Sequence, residues 1–360
     1  MVVRKNIPNI FSPSGKNIKF RKYTSFGNTF IIVYESLDSF ENDQQRSYFA
    51  RWILNGNFGV GGTDNLLFLQ CINMQDKNSD YSFRIFEHDG AETLFCGNGL
   101  LSVASTLHHS TGRTTFGVKT GLSTESPKHV EIGVGETAGS TWVNLGFPST
   151  VPNNMYCHKN PAPLSEKYDF HSFIISFPND AEWAMDLPNE LTLSGNFIFT
   201  GEPHLVFFLG HGLPSELEQK IWLDLKNLSD VGLPDTSQMK MSKALVHYIG
   251  SFVNAKYRHL FPQGVHLNFV RISKDKTTVE YRTYERAIDC ETLACGSGAV
   301  GIANVGLAKN FLIGNLITLK PHRCCWFQPN SKLEVRTTPT GSILYGYPEF
   351  IYEGSIPGFL

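Results

Sequence analysis

Two cysteines stand in closely matching stretches of this 360-residue chain. Phe83-Arg84-Ile85-Phe86-Glu87 leads through a short spacer into Glu92-Thr93-Leu94-Phe95-Cys96-Gly97-Asn98-Gly99. Tyr281-Arg282-Thr283-Tyr284-Glu285 leads, through a spacer one residue longer, into Glu291-Thr292-Leu293-Ala294-Cys295-Gly296-Ser297-Gly298. A helix N-terminus presents unpaired backbone N–H groups and the positive end of the peptide dipoles. A cysteine there is expected to have a lowered pKa and to favour its thiolate. The same N–H groups suit a carboxylate, and the neighbouring glycines let a ligand approach the backbone closely. One such site would suggest a nucleophile. Two related copies, facing each other across a cleft, would hold one carboxylate with a sulfur on each side of its α-carbon. That arrangement suits stereoinversion: one thiolate removes the α-proton and the opposite thiol returns a proton to the other face. Hydrogen bonds to the carboxylate would stabilise the carbanion. A single Cys-Gly-x-Gly is weak evidence, since buried cysteines are commonly inert. The matched pair in matched context is what carries the chemistry.

The elements that must position these cysteines repeat as well. The aromatic and Arg alternation before each has the period of a strand, and Asp89-Gly90 is a turn signal. The stretches Leu100 to Leu107 and Ala299 to Leu307 are nearly apolar all round, as in helices enclosed by their own domain. A weaker echo links Gly27-Asn28-Thr29-Phe30-Ile31-Ile32-Val33 with Gly201-Glu202-Pro203-His204-Leu205-Val206-Phe207. The chain therefore reads as two homologous halves, joined near the Pro/Gly/Ser-rich stretch Leu145 to Pro152. The expected divisions are a polar extension at 1–17, an N-terminal lobe at 18–148 and a C-terminal lobe at 149–344. A final segment occupies 345–360.

The bulk composition excludes several function classes. Hydrophobic residues make up 41% and charged residues 18%, ordinary for a globular protein with a core. A net charge of −2 without long runs of one sign gives no reason to expect nucleic acid or an anionic membrane as partner. No apolar run approaches the roughly 18 residues a membrane span needs. Seven cysteines, an odd number, with no visible secretory signal, fit a reduced cytoplasmic protein. His322-x-Cys324-Cys325 and His108-His109 lack a second ligand pair at the usual spacing, so no metal is expected. Cys290 is read as a loop thiol.

On these residues the chain resembles the diaminopimelate epimerase family. Phe83-Arg84-Ile85-Phe86-x-x-Asp89-Gly90-x-Glu92 with Cys96-Gly97-Asn98-Gly99 is similar to the first cysteine signature. Tyr284-Glu285-Arg286 with Glu291-Thr292-x-Ala294-Cys295-Gly296-Ser297-Gly298 is similar to the second. Phe26-Gly27-Asn28-x-Phe30, Gly59-Val60-Gly61 with Asp64, Pro203-His204 and Tyr352-Glu353-Gly354 extend the likeness over roughly residues 18 to 360. The chain exceeds the family's usual length, mainly between 150 and 270. The resemblance implies an α+β fold of two homologous lobes, each a curved β-sheet or barrel wrapped around a central helix, with the active site in the cleft between them. It implies a homodimer, no cofactor and a last strand returning to the first lobe.

The resemblance also assigns roles. Cys96 and Cys295 match the acid/base pair. Gly97, Asn98, Gly296 and Ser297 match the grip on the α-carboxylate of a free amino-acid substrate. Asn28 matches an asparagine at the reacting end, and Asn65 replaces a glutamine there. His204 and Glu285 match a polar pair beside the cysteines. Arg286 matches the arginine at the distal end, whereas family asparagines align with Glu87, Glu202 and His266. Two carboxylates in that place disfavour a second carboxylate on the substrate. The expected reaction is racemization or epimerization of a basic or polar amino acid such as histidine, lysine or arginine, with diaminopimelate as the alternative. A double-bond isomerase or a non-catalytic binding protein would be the readings from other classes.

Overall fold

The computed structural model describes residues 17–35, 40–72, 80–93, 95–121, 128–148, 151, 154–157, 170–223, 236–286 and 288–356. The expected polar extension lies, apart from Asn17, outside them. The chain divides into two compact units, Met1–Asn144 with Tyr345–Leu360, and Leu145–Leu344. Among the described residues no helix is long and apolar enough to cross a membrane.

In the first unit, β1 (Ile18–Ser25) and β2 (Asn28–Tyr34) form an antiparallel hairpin. Next come helix α1 (Asp43–Ile53), β3 (Asn65–Cys71), β4 (Tyr81–Phe86) and the short β5 (Glu92–Thr93). Helix α2 (Gly97–Thr111) then leads into β6 (Thr115–Thr120), β7 (Lys128–Val134) and β8 (Thr141–Asn144). β3 runs parallel to β2 and antiparallel to β4, and β6 runs parallel to β4. The C-terminal strand Glu349–Ile356 pairs antiparallel with β1.

The second unit repeats this plan after one added strand. It comprises β9 (Phe170–Ser176), β10 (Glu190–Phe199), β11 (Pro203–Leu209), β12 (Gly212–Leu213), the short helical turn α3 (Glu218–Ile221) and helix α4 (Ser237–Lys256). After these come β13 (His266–Ile272), β14 (Thr278–Glu285), β15 (Cys290–Thr292), helix α5 (Gly296–Ala308), β16 (Leu316–Pro321) and β17 (Leu333–Thr338). β13 is parallel to β11 and antiparallel to β14, and β16 is parallel to β14. The registers give residue equivalences. Phe30 lies opposite Asn65 as His204 lies opposite His266, and Ile32 opposite Leu67 as Val206 opposite Asn268.

Each sheet is covered on both faces, which is why its central strands read as continuous apolar runs. Phe30, Ile31, Ile32 and Val33 are all fully buried. Phe49, Ala50 and Ile53 of α1 pack with Ile31, Val33, Leu66 and Phe68. Leu245, Val246, Ile249 and Val253 of α4 pack with Leu205, Phe207, Leu267 and Phe269. A Cβ at Gly250 would lie 2.2 Å from the Tyr284 ring, so this mid-helix glycine lets the aromatic ring of β14 reach the helix backbone. The opposite faces hold α2 and α5, whose first turns and most of whose bodies are buried, α2 becoming exposed in its last turn. Burial on every side explains their lack of a polar stripe.

Candidate active site

The repeated Arg and Glu of the two signatures meet across the β4–β5 and β14–β15 hairpins. Arg84 Nε donates to Glu92 Oε1 at 2.8 Å and its Nη2 to Oε2 at 2.6 Å. Arg282 repeats the fork on Glu291, at 2.5 and 2.6 Å. Two parallel charge-assisted bonds fix direction as well as distance. Each fork pins the strand four residues ahead of its cysteine. The second fork is completely enclosed, at 0% exposure for both side chains, against 13% and 14% for the first. Arg282 also bonds the Ile221 carbonyl at 2.5 Å and the Ser242 hydroxyl, and lies over the Trp326 ring.

Both cysteines cap the helices that follow. Cys96 is extended (φ −147°, ψ 110°), and its sulfur accepts the Gly99 N–H at 3.3 Å. Cys295 is extended (φ −124°, ψ 116°), and its sulfur accepts the Gly298 N–H at 3.4 Å. A sulfur used as an N-cap acceptor is aligned with the unpaired N–H groups of the first turn.

In the first unit, Asn98 is buried in that first turn and its Nδ2 donates to Asn28 Oδ1 at 2.9 Å. Gly97 is buried beside it. Asn28 opens β2 and Asn65 opens β3, both half-buried. Glu87 is half-buried at the turn after β4, where its carbonyl accepts the Gly90 N–H at 3.0 Å. Because Leu66 lies opposite Phe86, the register sets Asn65 and Glu87 at the same end of their two strands.

In the second unit, Glu202, His204, His266, Asn268, Arg286 and Ser297 form one polar group. Arg286 Nη2 donates to Glu202 Oε2 at 2.7 Å and its Nη1 to the Gln263 carbonyl at 2.6 Å. His266 Nε2 lies 3.6 Å from Glu202 Oε2. Burial alone would raise the Glu202 carboxyl, but the hydrogen bonds and charges of His266 and Arg286 outweigh it and hold its pKa below the usual range. Among the described residues His266 Nδ1 and Arg286 Nε have no hydrogen-bond partner. His204 is fully buried and stacks on His266 at a centroid distance of 4.8 Å. Burial first, then the electrostatic influence of neighbouring His266 and Arg286, keeps its pKa well below that of an ordinary histidine, so it is neutral at pH 7. Its Nε2 lies 3.1 Å from the Ser297 hydroxyl, itself 3.4 Å from the Cys295 sulfur. Glu285 accepts from the Thr292 hydroxyl at 2.5 Å, and Gly296 is buried at the start of α5.

Sequence reasoning singled out the cysteines, Asn28, Asn98, Ser297, His204, Glu202 and Arg286. It missed Asn268, which holds His204, and Thr200, whose hydroxyl donates to the Ser297 carbonyl at 3.0 Å. It also passed over the two forks, although both pairs were visible in the repeat as a strand Arg and a post-turn Glu. Among the other thiols, burial first raises Cys290, and burial pushes Cys325 up to about 12.

The sequence profile described as "Diaminopimelate epimerase" matches residues 20–134. A diaminopimelate epimerase of Acinetobacter baumannii (strain AYE) is 27% identical over 305 residues, covering 83% of this chain and 85% of that protein. One of Methanothrix thermoacetophila is 26% identical over 292 residues, covering 80% of each. Among solved structures, a hydroxyproline epimerase from Agrobacterium vitis with bound trans-4-hydroxy-L-proline superposes with a TM-score of 0.53. It is 13% identical, with coverage of 97% of this chain and 96% of that one. That likeness shows a shared fold.

Proposed function

From the premise that the chain is a relative of the diaminopimelate epimerases, an isomerase of their α+β fold, we propose that it inverts the α-carbon of a basic or polar free amino acid through Cys96 and Cys295. The observation that carries this reading is the matched placement of the two sulfurs, each capping a buried helix and accepting its first-turn N–H. One thiolate takes the α-proton and the other thiol delivers a proton to the opposite face; the next turnover runs in reverse. The buried N–H groups beginning α2 and α5 hold the α-carboxylate as charge develops. No cofactor is needed, because the carboxylate grip and the two thiols supply the charge stabilisation and both proton transfers.

The substrate class rests on the distal end. Arg286, which the family pattern directs at a second carboxylate, is paired with Glu202 instead. Among the described residues His266 Nδ1 and Arg286 Nε have no hydrogen-bond partner; the Nε–H donates and the imidazole nitrogen can donate or accept, which suits a side chain carrying an acceptor, such as an imidazole or an amide. Diaminopimelate is the second reading, favoured by the names of the sequence relatives. The test is a screen of the twenty L-amino acids and diaminopimelate for deuterium at the α-carbon in heavy water. Exchange with histidine, lysine, arginine or another polar amino acid is the expected result. Exchange with diaminopimelate alone would select the second reading, and exchange with none would overturn both.

A further inference from the structure

The second unit holds a buried chain of hydrogen bonds that ends on the Cys295 sulfur and has no counterpart in residue type in the first. Asn268 Nδ2 donates to the Leu205 carbonyl at 3.1 Å, which fixes which end of the amide is nitrogen. The same nitrogen lies 3.2 Å from His204 Nδ1. An amide NH2 only donates, so Nδ1 must accept and the proton of neutral His204 resides on Nε2. That N–H then donates to Ser297 Oγ at 3.1 Å, filling the oxygen's acceptor role. The hydroxyl proton of Ser297 is left to point at Cys295 Sγ, 3.4 Å away. Histidine, asparagine and serine thus reduce the rotating hydroxyl to one direction.

Two further facts suggest that this chain was not built for stability. Asn268 is 0% exposed, yet among the described residues its Oδ1 has no hydrogen-bond partner. Burying such an oxygen is unfavourable. At the equivalent register positions the first unit carries Phe30 for His204 and Leu67 for Asn268, and Asn98 stands for Ser297. An apolar pair fills the same space in the same topology, so packing does not require the polar one.

We propose that Ser297 donates its hydroxyl hydrogen bond to the Cys295 thiolate, and that His204 and Asn268 are positioning residues that aim it. The proposal rests on the two-cysteine reading above and deepens it. With the Gly298 N–H it gives the sulfur two donors, one backbone and one side chain. Both favour the charged over the protonated sulfur.

The test is the pH dependence of alkylation by iodoacetamide, read separately at Cys295 and Cys96 by peptide mass spectrometry. The pH midpoint reports ionisation and is independent of how accessible each thiol is. Ser297→Ala is expected to raise the Cys295 midpoint by about one to two pH units and leave that of Cys96 in place. Ser297→Thr, which keeps the hydroxyl, restores it. Asn268→Leu shifts it in the same direction; if that variant does not fold, Ser297→Ala decides alone. An unmoved Cys295 midpoint in Ser297→Ala, or equal shifts at both cysteines, overturns the proposal. A Cys295→Ala variant that still racemizes normally would sink the two-cysteine reading itself. An inactive Cys295→Ala with an unmoved midpoint in Ser297→Ala would sink only this inference.

Discussion

The glycines three residues after the two cysteines are identical in sequence but should respond differently to the same substitution. In Gly298→Ala the new Cβ would lie 2.5 Å from Asn268 Oδ1, and 3.3 and 3.4 Å from Cβ and Sγ of Cys295. The amide is the tip of a side chain, but it is fully buried and tied to His204 and the Leu205 carbonyl. To move aside it must give up two hydrogen bonds, each worth about 1 kcal/mol. Replacing glycine inside a helix returns about 0.5 to 1 kcal/mol. The net loss is about 1 to 1.5 kcal/mol, or a fall in melting temperature of about 2 to 6 °C for a unit of this size. In Gly99→Ala the nearest atoms to the Cβ would be Leu67 Cδ1 at 3.4 Å, Cys96 Cβ at 3.5 Å and Cys96 Sγ at 3.6 Å, ordinary contacts. That variant should match the wild type or exceed it by about 0.5 kcal/mol. Thermal melting checks the stabilities, and racemization of the substrate found in the exchange screen checks the site. Turnover should fall by about tenfold or more in Gly298→Ala, because the residues around Cys295 shift. Equal stability of the two variants, or unchanged turnover in Gly298→Ala, would refute the reasoning.

Three more outcomes follow from the charged pairs. Glu291→Gln leaves Arg282 enclosed with no carboxylate at 0% exposure and should cost about 3 to 5 kcal/mol by denaturant unfolding. Glu92→Gln, in the partly exposed fork, should cost about 1 kcal/mol. Glu202→Gln releases Arg286 from its ion pair and should raise kcat/KM for diaminopimelate relative to a singly carboxylated amino acid by about tenfold; competition between the two substrates measures the ratio.

What could be read in the sequence followed from how tightly each position is constrained. Each cysteine caps its helix through the N–H three residues on, and Cys-Gly-x-Gly recurs in both copies with its context, so the pair was legible as a repeat. The Arg and Glu of each signature are equally constrained by the fork geometry, but their meaning emerges only once the hairpin brings them together. Asn268 and Thr200 carried no local signal. Asn268 lies in an ordinary strand pattern, His-Leu-Asn-Phe-Val, and its role depends on the parallel pairing of β13 with β11, which no short-range pattern reveals. Helix α4, between β12 and β13, takes the place that α1 has between β2 and β3. The echo of sequence fades there while the topology persists. Glu202 and Arg286 were visible as departures from a family pattern, and the hydrogen bond between them needed coordinates.

The central claim is that both cysteines are required, one on each face of the α-carbon. The direct measurement is the initial rate of racemization by Cys96→Ala and Cys295→Ala, taken singly, with folding checked by melting. The account predicts that each variant, though folded, loses racemization. Normal racemization by either one would contradict it.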